Sequence, residues 1–321
     1  MAVVAGIDEA GFGPILGPLV VSATVFQIPD QVAHHSLWDL LASAVSRKPV
    51  KRHPGLAIGD SKKLYSPSQG IACLERGVLG ALMAVTPNQQ SLRGLLASLC
   101  PAVLPEMDEY PWYRGADLPL PHGCDATDLR LRANGLRAAM ASARVNLAGA
   151  RSEVVLEGRY NRLVQASNNK ASTLLDHTCR LIDWVWRSHS QEPLVRIDVD
   201  RQGGRAHYLP TLQRLFEGGS FRILVEQPEH SGYRVTLAGR TLEVHFLERG
   251  EDCHMGIALA SMTSKYLREL FMELLNRYWA QHVPDLKPTA GYYTDGKRFL
   301  QDIEAACRQM DTPMGLLVRS R

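Results

Sequence analysis

The 321-residue chain has no Cys-x-x-Cys spacing. Its six cysteines, Cys73, Cys100, Cys124, Cys179, Cys253 and Cys307, stand apart. This argues against a disulfide frame or a cysteine zinc site, and for reduced thiols inside a cell. No apolar run is long enough to span a bilayer, so no membrane is expected. The first residues carry neither a basic stretch nor a small-residue cleavage site. No signal peptide is therefore expected, and the expected compartment is cytoplasmic. A large excess of charge is also missing. The net charge of +3 confines any nucleic-acid footprint to a local patch. His-x-x-x-His and Gly-x-x-x-x-Gly-Lys-Ser/Thr patterns are absent, so neither a zincin nor a P-loop enzyme is supported. No Ser-His-Asp or Cys-His grouping stands out, and there is no internal repeat or low-complexity tract. What is there, 45% hydrophobic and 21% charged residues, suits a globular protein with a sizeable core in one elaborated domain or two.

One stretch dominates the remainder: Gly6 to Val21, GIDEAGFGPILGPLVV. Adjacent Asp8 and Glu9 close a short apolar run formed by Val3, Val4 and Ile7. A turn rich in glycine and proline follows, then a second apolar run from Leu19 to Phe26. Gly11, Gly13 and Gly17 permit close backbone approach or positive φ. A strand that ends in charge and opens into such a loop suits a metal and a phosphate. For Asp-Glu alone, solvated acids at a hairpin turn are the plainer reading.

Periodicity predicts paired strands at 3–7 and 19–27 and a helix over 32–46. Ser66 is placed to cap a helix running to about Val85. Between Pro87 and Glu153, helical patterns flank PEMDEYPWYRGADLPLPHG, which reads as a lid-like loop or a small subdomain. Further along, a strand is expected at 154–156 and an amphipathic helix at 171–187. An alternating strand at 194–200 is stopped by RQGGR. A helix at 207–216, a strand at 222–225 and a hairpin from 234–237 and 242–247 follow. Long helices are expected at 257–278 and 297–310. Strands mixed with helices imply a layered α/β fold.

Several constellations carry chemistry. Asp198 and Asp200 end a strand, where period two puts both on one face and Ile197 and Val199 on the other. A merely polar strand end is the rival reading. Along SMTSKYLRELF, Ser261, Lys265 and Glu269 form one stripe, and Met262, Tyr266, Leu270 and Leu274 form a core-facing one. Taken alone, Glu269 with Lys265 is an exposed ion pair of little worth. Asp60-Ser61-Lys62-Lys63 is a solvated basic loop or a phosphate-positioning one. Gly291-Tyr292-Tyr293-Thr294 offers hydrogen-bond anchors or a stacking ring. Carboxylates gathered from separate segments repel one another unless divalent cations sit between them, and hard oxygens suit magnesium or manganese. Two such ions about 4 Å apart activate a water and stabilise the leaving oxygen of a phosphodiester.

GIDEAGFGPILGPLVV resembles the opening motif of the type 2 ribonucleases H, the ribonuclease HII and HIII family. GDSKKL matches the next signature of that family. GEDCHMGIALASMTSKYLRE is similar to a later one, in which a glycine-acid pair precedes a helix carrying Lys and a final acid. AGYYTDGKRFL resembles its late Gly-Tyr-x-Thr segment. The four occur in family order, from residue 6 to about residue 300.

The resemblance implies a ribonuclease H-like α/β fold, a central mixed β-sheet flanked by helices. Residues 1–321 would form a single catalytic domain, with 87–153 an insertion or lid subdomain and 270–321 a helical C-terminal part. It implies an endoribonuclease that cuts the RNA strand of an RNA/DNA hybrid, or a ribonucleotide-containing duplex, leaving 5′-phosphate ends. No obligate protein partner is evident. Two Mg2+ or Mn2+ ions would be held by Asp8, Glu9, Glu269 and a third acid, Asp200 or its competitor Asp198. Ser61, Lys62, Lys63 and Lys265 would meet phosphates, and Tyr292 the sugar. Gly11, Phe12 and Gly13 stand where ribonuclease HII has Gly-Arg-Gly, a turn that helps sense the 2′-hydroxyl. The guanidinium is missing, which marks the chain as a divergent member. The rival readings are a nuclease of the same superfamily acting on another nucleic acid, and a nucleic-acid-binding protein that has lost catalysis.

Overall fold

The computed structural model describes residues 1–50, 55–66, 70–83, 90–189, 191–192 and 194–320. Its centre is a seven-stranded mixed sheet. In chain order the strands are β1 (Ala2–Ala10), β2 (Leu19–Ile28), β3 (Asn146–Val155), β4 (Leu194–Asp200), β5 (Ser220–Gln227), β6 (His230–Leu237) and β7 (Arg240–Leu247). Their spatial order is β3-β2-β1-β4-β7-β6-β5. The strands β1, β4 and β7 run parallel, and the other neighbours are antiparallel. The α/β class, with a central mixed sheet flanked by helices, is the one the sequence implied.

Alternation along β1 divides the core. Val3, Ala5 and Ile7 join the cluster beneath the amphipathic helix α1 (Lys170–Ser188). Ala2 and Val4 lie on the face of the long helix α2 (Met255–His282). There Met262, Tyr266, Leu270 and Leu274 are all buried, as their stripe required. The 105–123 stretch is anchored on that side too. Tyr110, Trp112 and Tyr113 are buried, and Tyr113 meets Phe271 of α2 edge-on at 5.1 Å.

The helix α2 reaches the sheet through a backbone contact. A Cβ on Gly6 would lie 2.0 Å from the carbonyl carbon of Gly256, so only glycine permits this approach. Thr24 Oγ1 donates to the Gly256 carbonyl at 2.9 Å, and Ser264 Oγ donates to the Asp8 carbonyl at 3.0 Å. These contacts fix the register of α2 on β1.

Several boundaries differ from expectation. The helix expected over 32–46 is a 3-10 turn at Asp30–Val32 and one helical turn at Leu37–Leu40, started by Ser36 accepting the Trp38 N–H. The helix expected from Ser66 is Ala72–Leu82, and Val85 lies outside the described residues. The strand expected at 154–156 begins at Asn146, so the end of the 87–153 stretch is sheet. The helix expected over 297–310 divides into Tyr293–Asp302 and Glu304–Gln309. The hairpin between β6 and β7 turns on Ala238 and Gly239, both at positive φ, as a two-residue turn of this hand demands. All six cysteines are free thiols. Among the described residues no helix is long and apolar enough to cross a membrane.

Candidate active site

The ends of β1 and β4 lie side by side, with Ile7 paired to Val199 in parallel register. Asp8 and Asp200 therefore emerge at one edge of the sheet. They line a cleft of about 200 Å³ with Glu9, Gly11, Phe12, Gly13, Ser61, Lys62, Glu251, Ser261, Lys265 and Tyr292. Each wall has a local cause. The short helix Ser61–Leu64 is capped by Asp60, whose carboxylate accepts the Lys62 N–H. Ser61 Oγ and Ser261 Oγ lie 3.1 Å apart and tie that helix to α2. The glycine loop is stitched to the Tyr292 segment by Ile15 and Leu16, whose N–H groups both donate to the Gly291 carbonyl. The buried guanidinium of Arg268 donates to Leu16 O and Ala290 O and locks the same two segments. Gly11 sits at φ +91 with the Pro18 carbonyl 2.4 Å from where a Cβ would stand.

Electrostatics make the cleft a cation seeker. Burial raises the Asp8 carboxyl well above its ordinary range, with the charge of Glu9 next in size. Burial, then the Asp200 charge, lifts Glu9 to about 7. Burial, then Asp8, then Glu251, lifts Asp200 to about 8. Among the described residues Asp8, Glu9 and Asp200 have no salt-bridge partner, and Glu251 has Lys62 alone at 4.0 Å. Glu251 Oε2 is buried with no hydrogen-bond partner. Unpaired buried carboxylates either keep a proton or take a cation. The donor set is all oxygen, which fits a hard divalent ion. No set of three His, Cys, Asp or Glu side chains among the described residues is already arranged to hold one.

Three residues expected in the site stand elsewhere. Glu269 does not line the cleft. Its carboxylate accepts from Tyr65 Oη at 2.6 Å, pairs with Lys265 Nζ at 2.7 Å and lies 3.3 Å from Arg268. One turn along α2 past Lys265 carries it away from the sheet edge. Asp198 is fully buried one strand pair below Asp200. There it pairs with Arg196 Nε at 2.9 Å and lies 3.4 Å from His254 Nδ1. Lys63 turns to Asp60 at 2.9 Å and Asp252 at 3.6 Å. The acid missing from the expected set is Glu251. It follows Gly250, whose N–H donates to Asp200 Oδ1 at 2.8 Å. The Gly250-Glu251-Asp252 triplet was visible in the sequence, as an acid pair just ahead of the long helix.

No family model matches the chain, and no curated protein matches it. Solved structures do. The chain is similar to the PCNA:RNase HII complex from Archaeoglobus fulgidus at 15% identity, over 99% of this chain and 94% of that one, with a TM-score of 0.45. It is similar to Bst-RNase HIII in complex with Mn2+ at 14% identity, over 99% of this chain and 66% of that one, with a TM-score of 0.43. The ribonuclease H2 from Pyrococcus horikoshii OT3 is similar at 14% identity, over 98% and 92%, with a TM-score of 0.42. These likenesses concern the course of the chain. Its chemistry rests on the side chains in the cleft.

Proposed function

We propose that the chain is a divergent type 2 ribonuclease H, a metal-dependent endoribonuclease that hydrolyses the RNA strand of RNA/DNA hybrids. The observation that carries this reading is the meeting of Asp8, Glu9, Asp200 and Glu251 in one cleft beside Lys62, Lys265 and the glycine loop. Those four carboxylates would hold two Mg2+ or Mn2+ ions. Bound divalent cations supply an activated water and neutralise the leaving oxygen of a phosphodiester.

The chain's own groups do the rest. Lys62, 85% exposed at its side chain, reaches a phosphate as it enters. Lys265 is held in place by Glu269 and by the Tyr65 ring, 4.8 Å from its Nζ, and presents a fixed charge to the strand. Tyr292 is exposed and stands against the sugar. The backbone of Gly11 to Gly13 approaches the 2′-hydroxyl, the group that distinguishes RNA from DNA. Recognition by groove shape and 2′-hydroxyls predicts little sequence preference. The whole chain acts as a single catalytic domain.

A specific residue favours a second reading. Phe12 replaces the arginine of the Gly-Arg-Gly turn, which suits a nuclease of the same superfamily with another nucleic acid as substrate. One experiment separates these readings from a binding protein without catalysis. Hybrid, single-ribonucleotide duplex and all-DNA substrates are incubated with the protein and Mg2+ or Mn2+, beside an Asp8→Asn control. The proposal expects hybrid cleavage with 5′-phosphate ends and none from Asp8→Asn. Cleavage of DNA alone supports the second reading. No metal-dependent cleavage of any substrate removes both.

A further inference from the structure

Most backbone N–H groups of the loop from Phe12 to Pro18 are accounted for within the fold. Pro14 and Pro18 have none. Ile15 and Leu16 give theirs to the Gly291 carbonyl. The Gly17 N–H meets the buried Glu157 carboxylate. That leaves Phe12 and Gly13, whose N–H groups find no acceptor among the described residues. Both residues line the acidic cleft. A Cβ on Gly13 would meet nothing within 4 Å, so the space beside it is open.

One side chain sets the direction of these two donors. Arg319 lies 308 residues along the chain from Gly11. Its guanidinium donates to the carbonyls of Gly11, Phe12 and Gly17, at 3.4 Å for the last two. In a trans peptide the carbonyl and the following N–H point opposite ways. The Gly11 carbonyl, turned to Arg319, therefore turns the Phe12 N–H away from it. The Phe12 carbonyl does the same for the Gly13 N–H. Away from Arg319 means into the cleft. Arg319 lines a separate cavity behind the loop, and Phe12, Gly13 and Pro14 are the partition between the two.

Arg319 is itself fixed from behind. Its guanidinium lies 3.9 Å over the Tyr160 ring, and its backbone N–H donates to the Ile15 carbonyl at 2.9 Å. Asn161 donates to the carbonyls of Gly315 and Val318 and accepts the Ser320 N–H at 2.6 Å. At 3% exposure Arg319 touches no substrate. Its effect on the cleft passes through the glycine loop.

We propose that Arg319 is a positioning residue, which aims the Phe12 and Gly13 N–H groups at the 2′-oxygen of the ribose beside the scissile bond. The inference rests on the nuclease reading above. Phe12 removes a guanidinium from the front of the loop. Arg319 places one behind it, where it sets main-chain direction and leaves the substrate uncontacted. Donors held in place beforehand need no ordering when the strand arrives. A DNA strand has no 2′-oxygen to accept from them, so the pair favours RNA.

The test follows single-turnover cleavage of an RNA/DNA hybrid bond by bond, with Mg2+ or Mn2+. Matched hybrids carry one deoxynucleotide in the RNA strand. The readout is the factor by which that substitution slows an adjoining bond relative to the other bonds of the same strand. A general loss of activity or of folded protein cancels from it. In wild type the factor should be about tenfold or more. Arg319→Met keeps the apolar stem and removes the donors. It should shrink the factor about three- to tenfold, the worth of one hydrogen bond. Arg319→Lys, with one ammonium for three carbonyls, should recover part of it. Asn161→Ala loosens Arg319 from behind without emptying the core. It should shrink the factor in the same direction, and it decides the matter if Arg319→Met does not fold. Slower cleavage at an unchanged factor makes Arg319 a structural clamp only and overturns the proposal. A wild-type protein that cleaves hybrid but ignores the deoxy substitution also overturns it, and leaves the nuclease reading standing. A wild-type protein that cleaves no nucleic acid loses the nuclease reading, and this proposal with it.

Discussion

Replacing Glu9 by its neutral isostere should make the metal-free protein more stable at alkaline pH. Burial and the nearby Asp200 charge lift Glu9 from 4.5 to about 7. Between those values the folded chain keeps a proton that the unfolded chain has lost. Stability therefore falls as pH rises through that window, with no effect below it and the whole penalty above it. At about 1.36 kcal/mol per pH decade, ionising Glu9 in the folded state costs about 3 kcal/mol. Glu9 is only half-buried and shares its repulsion with Asp200, so solvent screening brings the measurable gain from Glu9→Gln to about 1–2 kcal/mol. The assay is urea unfolding in a chelating buffer at about pH 5 and about pH 8. Wild type should lose stability between the two, and Glu9→Gln should lose less. Adding Mn2+ at the higher pH should raise wild type more than the variant, because a bound cation removes the penalty that the substitution has already removed. Parallel pH profiles for the two proteins would refute the reasoning, since they would mean that Glu9 carries no buried charge.

Other outcomes follow from the same geometry. Glu251→Gln should lower hybrid cleavage by about a hundredfold or more, and Glu269→Gln by about tenfold or less, because only the first removes an acid from the cleft. The reverse order in single-turnover rates would return Glu269 to the metal set. Glu75 is buried and accepts the N–H groups of His122, Gly123 and Cys124 and the hydroxyl of Tyr266. Glu75→Ala should therefore cost about 3–5 kcal/mol in urea unfolding, and a loss under about 1 kcal/mol would contradict it. Phe12→Arg should raise cutting at a single embedded ribonucleotide relative to a full hybrid; an unchanged ratio would remove Phe12 from the specificity argument.

Much of the scaffold was legible because periodicity reports burial. Val3, Ala5 and Ile7 alternate along β1, and the Met262 to Leu274 stripe runs true along α2. The 32–46 segment misled because its apolar residues serve a turn that Ser36 restarts. At the site, Asp8 and Glu9 were legible from their place at a strand end before a glycine loop. The choice between Asp198 and Asp200 was not. Both share one face, and only the depth of each along β4 decides which reaches the cleft. Glu269 was misplaced because helical spacing from Ser261 and Lys265 says which stripe a residue occupies. It does not say where the stripe leaves the sheet. Glu251 escaped because it rides on a one-turn helix, Gly250–Cys253, which takes its position from what precedes and follows it. The close of β7 at Leu247 and the Gly250 N–H on Asp200 set that position, and neither can be read from local pattern.

Where Gly6 touches Gly256, the join between helix and strand is main chain on main chain. No side chain there can be trimmed or lengthened, so the long helix has no handle by which core drift could slide it a fraction of an ångström along β1. The distance from Asp8 to Ser261 and Lys265 is thus inherited as one unit. The same rigidity leaves no gradual route by which its spacing could be widened for a bulkier substrate.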